Sequence, residues 1–142
     1  MVKKQFLYTI VLVVFLDQLT KFLAVKFLQE PFTIIPDFLY LRSVTNTGAA
    51  FSMLQGMNLL LIIISLIVVA AILYYYKRIP KENIPQIMFA LIAAGGIGNL
   101  ISRIFLGHVI DFIYFTFFPT FNIADSAISI GAITLIIYFW KK

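Results

Sequence analysis

The sequence predicts an all-α integral membrane protein, four transmembrane helices with a small β-structured subdomain on the outer face. Three observations carry that prediction. First, 62% of the 142 residues are hydrophobic and only 12% are charged, at a mean hydropathy of +1.01. Soluble domains run nearer about one-quarter charged, and a short chain buries too little of its surface to hide so much apolar area. Lipid must cover the rest. Second, four segments approach the roughly 20 apolar residues that a spanning helix needs. Third, the basic residues gather at the ends of those segments.

The elements follow in order. The first span is predicted over about 6–25, with DQLTK late in it. It follows Lys3 and Lys4, as a secretory leader would, but FLAVKFL offers no small-x-small cleavage site, so it is read as a retained helix. The second, about 57–76, carries no charge and ends in three tyrosines suited to a headgroup boundary. The third, about 84–105, has Pro85 near its start, where proline is tolerated. The fourth, about 121–140, closes with Trp140 and two lysines. Outer connections over about 27–56 and 107–120 join them; FTIIPDFLYLRSV in the first alternates like short strands. The whole of 1–142 reads as one membrane-embedded domain.

A net charge of +5 raises the question of nucleic acid, which the positions of the charges answer. Seven of the eleven basic residues lie at the N-terminus, in the middle loop (Lys77, Arg78, Lys81) or at the C-terminus. That arrangement orients helices in a bilayer and puts both termini in the cytoplasm; it forms no basic face for nucleic acid. The chain has no cysteine, which excludes disulfides, thiolate nucleophiles and zinc–thiolate sites. The single His108 cannot build a histidine metal site, and no cofactor is implied.

Polar residues inside the spans share an address. Asp17 and Lys21 stand four apart, acid before base, on one helical face. Asn99 and Arg103 repeat the spacing in the third span, and Asn122, Asp125, Ser126 and Ser129 fall on one face of the fourth. All three clusters lie toward the outer ends of their helices. Asp17 has a ready partner in Lys21 and reads as half of a structural pair. Asp111 and Asp125, 14 residues apart, have no lysine or arginine three or four positions away. An ordinary loop acid and a helix-start acid are the bland readings; with the polar cluster around them, a facing pair is the sharper one. Two carboxylates in one site hold a single proton between them. The ionised member can take a proton from water while the protonated member donates to the carbonyl oxygen under attack, which is peptide hydrolysis without metal or covalent intermediate. Which aspartate acts as base belongs to the coupled pair. A proton-coupled transporter would place its acids near the bilayer midplane, and a purely structural subunit has no use for two unpaired acids.

DQLTK (17–21), NTGAAFS (46–52), GGIGNLISR (95–103), GHVIDF (107–112) and FNIAD (121–125) run in order along nearly the whole chain. In these five motifs the chain resembles the bacterial lipoprotein signal peptidases (signal peptidase II), aspartic proteases of the cytoplasmic membrane. The resemblance implies four membrane helices with a β-cradle and a helical flap on the outer face. Its implied substrate is a diacylglyceryl-modified prolipoprotein, cleaved just before the lipidated cysteine to release the signal peptide. It implies Asp111 and Asp125 as the catalytic pair, Asn46, Gly48, Asn99, Arg103, Asn122 and Ala124 as residues lining the site, and Asp17 with Lys21 as a supporting polar pair. The small residues Gly48, Ala49 and Ala50 suit close approach of a substrate backbone. Partners are then the lipidated substrate and membrane lipid. The chain departs from the family in two places. Ser102 stands where the family commonly has an acid, which is expected to leave Arg103 without an acidic neighbour, and fewer residues separate the two aspartates.

Overall fold

The computed structural model of the protein describes residues 4–48 and 54–141. Among these residues, four α-helices and three strands follow in the order α1 (Lys4–Phe27), β1 (Phe32–Ile35), β2 (Leu39–Asn46), α2 (Asn58–Tyr74), α3 (Asn83–Leu106), β3 (Val109–Phe115), α4 (Ile123–Trp140). A helix occupies each of the four predicted segments, and the strands fall in the two connections predicted between them. Boundaries agree to within two residues: α1 runs two further at each end, α2 stops at Tyr74 before a short 3-10 turn, and α4 starts at Ile123 because Asn122 is its N-cap.

Among the described residues, α3 and α4 are by themselves long and apolar enough to cross a membrane. The shorter apolar α2 has 17 residues, about 26 Å at 1.5 Å per residue. α1 is as long as α3, with Asp17 and Lys21 inside it. Large apolar side chains stand exposed along the helices, among them Phe22, Leu59, Ile67, Phe105 and Ile136, as they must where lipid rather than protein is the neighbour.

α3 packs against each of the other three helices. It can do so because small residues, Ala90, Ala93, Ala94, Gly95, Gly96 and Gly98, all buried, surround it there: Gly95 faces α4, Gly96 faces α2 and Gly98 faces α1. Membrane helices gain little from hydrophobic exclusion, so close backbone approach over small residues holds them together. A Cβ on Gly98 would sit 2.5 Å from Asp17 Oδ2, and one on Gly95 would strike the Ala124 carbonyl. The two glycines make room for α1 and α4. Gly107, left-handed at φ 78°, caps α3 and donates to Arg103 O at 3.1 Å, turning the chain into β3.

The strands form one antiparallel sheet ordered β1-β2-β3. A bulge in β2 between Leu41 and Val44 absorbs one residue. Asn46, an odd number of residues after Leu41, therefore shares the sheet face of Val44 and its partner Asp111. After β3 the chain reverses, and Phe121 pairs back onto it: Ile113 N–H donates to Phe121 O at 2.9 Å and Phe121 N–H to Ile113 O at 3.0 Å. That return starts α4 beside β3. Ala49 and Ala50 lie outside the described residues, as do residues 51–53.

Candidate active site

Alternation along β3 aims Asp111. Its neighbours Ile110 and Phe112 are buried against Ala24 of α1, so Asp111 points from the opposite face into a cleft of about 490 Å³. Only 2% of it is exposed. Its Oδ1 accepts from Asn122 Nδ2 at 2.7 Å and its Oδ2 from Asn46 Nδ2 at 2.8 Å. Burial pushes the Asp111 carboxyl up to about 6; the Asn46 and Asn122 amides and the Lys21 charge pull against that, while Asp125 reinforces it.

Capping chemistry aims Asp125. Asn122 Oδ1 accepts from Asp125 N–H at 3.0 Å, and Asp125 Oδ2 accepts from Asn122 N–H at 3.2 Å, a capping box that satisfies two of the orphan amides of α4. Asp125 Oδ1 accepts from Asn99 Nδ2 at 2.8 Å. One residue, Asn122, thus touches both aspartates, through its side-chain amide on one and its backbone N–H on the other. The separation of 14 residues is spanned by the end of β3, the reversal and the first turn of α4.

The site residues predicted from the sequence come together around this pair. Asn46, Arg103, Asp111 and Asp125 all line the cleft. Arg103 Nη2 donates to Gly48 O at 3.1 Å, while its buried Nε has no hydrogen-bond partner among the described residues. Gly48 N–H donates to Asn46 Oδ1 at 2.9 Å. Ala124 is fully buried, and its N–H donates to Asp17 Oδ1 at 2.9 Å.

Asp17 and Lys21 do form an ion pair, at 2.8 Å, but the pair does not stand apart. Asp17 shares its other oxygen with the first turn of α4, and Lys21 Nζ donates to Asn99 Oδ1 at 2.9 Å and Ser102 Oγ at 3.3 Å. The consequence expected of Ser102 therefore falls elsewhere. Ser102 faces Lys21, not Arg103, because it stands nearly one helical turn after Asn99, on the side of α3 turned to α1; Arg103 finds a backbone carbonyl instead. Sequence reasoning did not single out Gln18, whose Nε2 bridges Asp17 Oδ2 and Gly98 O, nor the cleft wall of Phe118, Pro119 and Thr120. The aromatic run held no periodicity from which that wall could be read. Among the described residues no cluster of His, Cys, Asp and Glu could hold a metal ion.

A family model described as signal peptidase (SPase) II matches residues 9–141. The chain is 46% identical over 126 residues to a lipoprotein signal peptidase of Caldanaerobacter subterraneus subsp. tengcongensis, covering 87% of each. It is 40% identical to that of Halothermothrix orenii, over 94% of this chain and 93% of the other, and 41% identical to that of Streptococcus pyogenes serotype M5, over 100% and 97%. Two solved structures, both described as a bacterial membrane enzyme studied by the in meso method, superpose with TM-scores of 0.90 and 0.87 at 36% identity. They match 96% of this chain and 87% and 93% of theirs. A match of this extent in sequence and fold, with both aspartates inside the matched span, leads to one conclusion: the chain belongs to the signal peptidase II family.

Proposed function

We infer that this protein is an endopeptidase that removes the signal peptide from diacylglyceryl-modified prolipoproteins, cutting just before the lipidated cysteine, with Asp111 and Asp125 activating water. The observation that carries the reading is the double hold of Asn122 on the two carboxylates, 2.7 Å to Asp111 and 3.2 Å to Asp125, at the wall of one cleft.

Each carboxylate receives N–H donors on both of its oxygens, so both are oriented before substrate arrives. In the proposed reaction the pair holds one proton. The ionised aspartate takes a proton from a water as that water adds to the scissile carbonyl, and the protonated one donates to the carbonyl oxygen. Collapse of the tetrahedral species passes a proton to the leaving amine and returns the pair to one proton. Arg103, which lines the cleft, brings a guanidinium to the place where a substrate carbonyl would lie. Apolar Phe118, Pro119, Phe121, Ile128 and Ile130 wall the cleft, which suits a hydrophobic segment arriving through lipid.

In the proposed topology all four helices span the cytoplasmic membrane and both termini are cytoplasmic. The sheet and the aspartates then lie toward the outer face, where a signal peptide ends. The basic residues Lys77, Arg78, Lys81 and Lys141, at the opposite ends of the helices from the sheet, support that orientation. The test is processing of a diacylglyceryl-modified prolipoprotein beside its unmodified counterpart. Asp111→Asn and Asp125→Asn should each abolish cleavage in protein that still inserts and folds; normal turnover by either ends the proposal.

A further inference from the structure

Three asparagine amides point their nitrogens at the two aspartates, and the oxygen of each is held by a group that can only donate. Asn46 Oδ1 accepts from Gly48 N–H, Asn122 Oδ1 from Asp125 N–H, and Asn99 Oδ1 from the Lys21 ammonium and the Asn122 amide. The two ends of an amide are nearly the same shape, so its partners alone select its orientation. Backbone N–H groups hold two of the three. Only Asn99 depends on side chains: the Lys21 ammonium at 2.9 Å and, more distantly, the Asn122 amide at 3.3 Å, whose nitrogen also serves Asp111 Oδ1 and Ile110 O.

All three N–H donors of that ammonium are used, on Asp17 Oδ2 at 2.8 Å, Asn99 Oδ1 at 2.9 Å and Ser102 Oγ at 3.3 Å. Lys21 is buried and has no acceptor to offer. A flipped Asn99 would press its NH2 against the ammonium. The restriction matters at one moment of the reaction. While Asp125 is ionised, it favours the Asn99 nitrogen unaided. Once Asp125 carries the shared proton on Oδ1, an unrestrained Asn99 could turn its oxygen inward and accept that proton in a hydrogen bond directed away from the substrate.

We propose that Lys21 is a positioning residue that locks the Asn99 amide so that the proton shared by the aspartates cannot be diverted into it. The proposal rests on the peptidase reading and goes beyond ion pairing with Asp17. It makes Lys21 matter to turnover and not to substrate binding.

The experiment compares kcat and KM for a diacylglyceryl-modified prolipoprotein in wild type, Lys21→Met, Asn99→Ala and the double variant, by single-turnover kinetics on folded, membrane-inserted enzyme. Lys21→Met is expected to lower kcat about 10–100-fold, the usual cost of an outer partner of a site, with KM unchanged. In the Asn99→Ala background, where no amide can flip, it should cost little more. Lys21→Met leaves Asp17 buried without its partner and is liable to misfold. The companion Asp17→Asn/Lys21→Met leaves neither charge unpaired and should show the same kcat loss. Equal losses with and without Asn99, or wild-type kcat in the companion variant, would overturn the proposal. Failure of wild type to cleave the lipidated substrate would instead defeat the peptidase reading, before any variant is compared.

Discussion

Asn46 is the residue through which the aspartate pair can be tuned without being removed. Its amide donates to Asp111 Oδ2 and so favours the ionised carboxylate, against the burial that pushes Asp111 up to about 6. The sign follows. With that donor gone, the ionised form loses support, the proton is held to higher pH, and the form with one shared proton persists further into the alkaline range. Asn46→Ala is therefore expected to move the alkaline limb of the kcat/KM profile to higher pH, together with a lower maximum. A limb that stays in place or moves to lower pH counts against Asp111 in the titrating pair. The limb belongs to the pair as a whole.

At the scale of the element, the start of α4 joins stability to chemistry. Asn122 caps the helix through its oxygen and holds Asp111 through its nitrogen. The two functions separate by substitution. Asn122→Ser keeps an oxygen that can cap and loses the amide donor, whereas Asn122→Ala loses both. Thermal denaturation should find Asn122→Ala less stable than Asn122→Ser by about 1 kcal/mol, the usual worth of a cap, while peptidase assays should find both severely impaired. Full activity in Asn122→Ser would show that the amide does not orient Asp111. The α1–α3 contact offers a second element-scale test. Gly98→Ala puts a methyl group against Asp17 Oδ2 and is expected to cost about 1–3 kcal/mol, typical of overpacking. Unchanged stability would mean that the helices separate freely at this point.

For the whole molecule the question is which way it sits in the bilayer. A chain with no cysteine makes that directly measurable. Asp37→Cys, in the β1–β2 turn, should react with a membrane-impermeant maleimide added outside intact cells. Lys77→Cys, in the turn after α2, should react only after permeabilisation. The reverse pattern would put the aspartates on the cytoplasmic side and rule out the proposed encounter with an exported signal peptide.

Much of this architecture could be read from the residues alone. Runs of apolar side chains between basic ends require helices covered by lipid, and that requirement depends on composition and spacing, not on contacts. The motifs likewise marked the aspartates and asparagines, because polar groups in an apolar chain stand out wherever they end up. Which atom meets which could not be read this way. That Ser102 turns to Lys21 follows from the rotation of α3 against α1, and that Asn46 reaches Asp111 follows from one bulge in β2. The thirteen residues between the aspartates close up because Phe121 pairs back onto β3. Hydrogen bonds act over about 3 Å, and separations that small are set by how helices and strands pack, which no pattern along a single chain encodes.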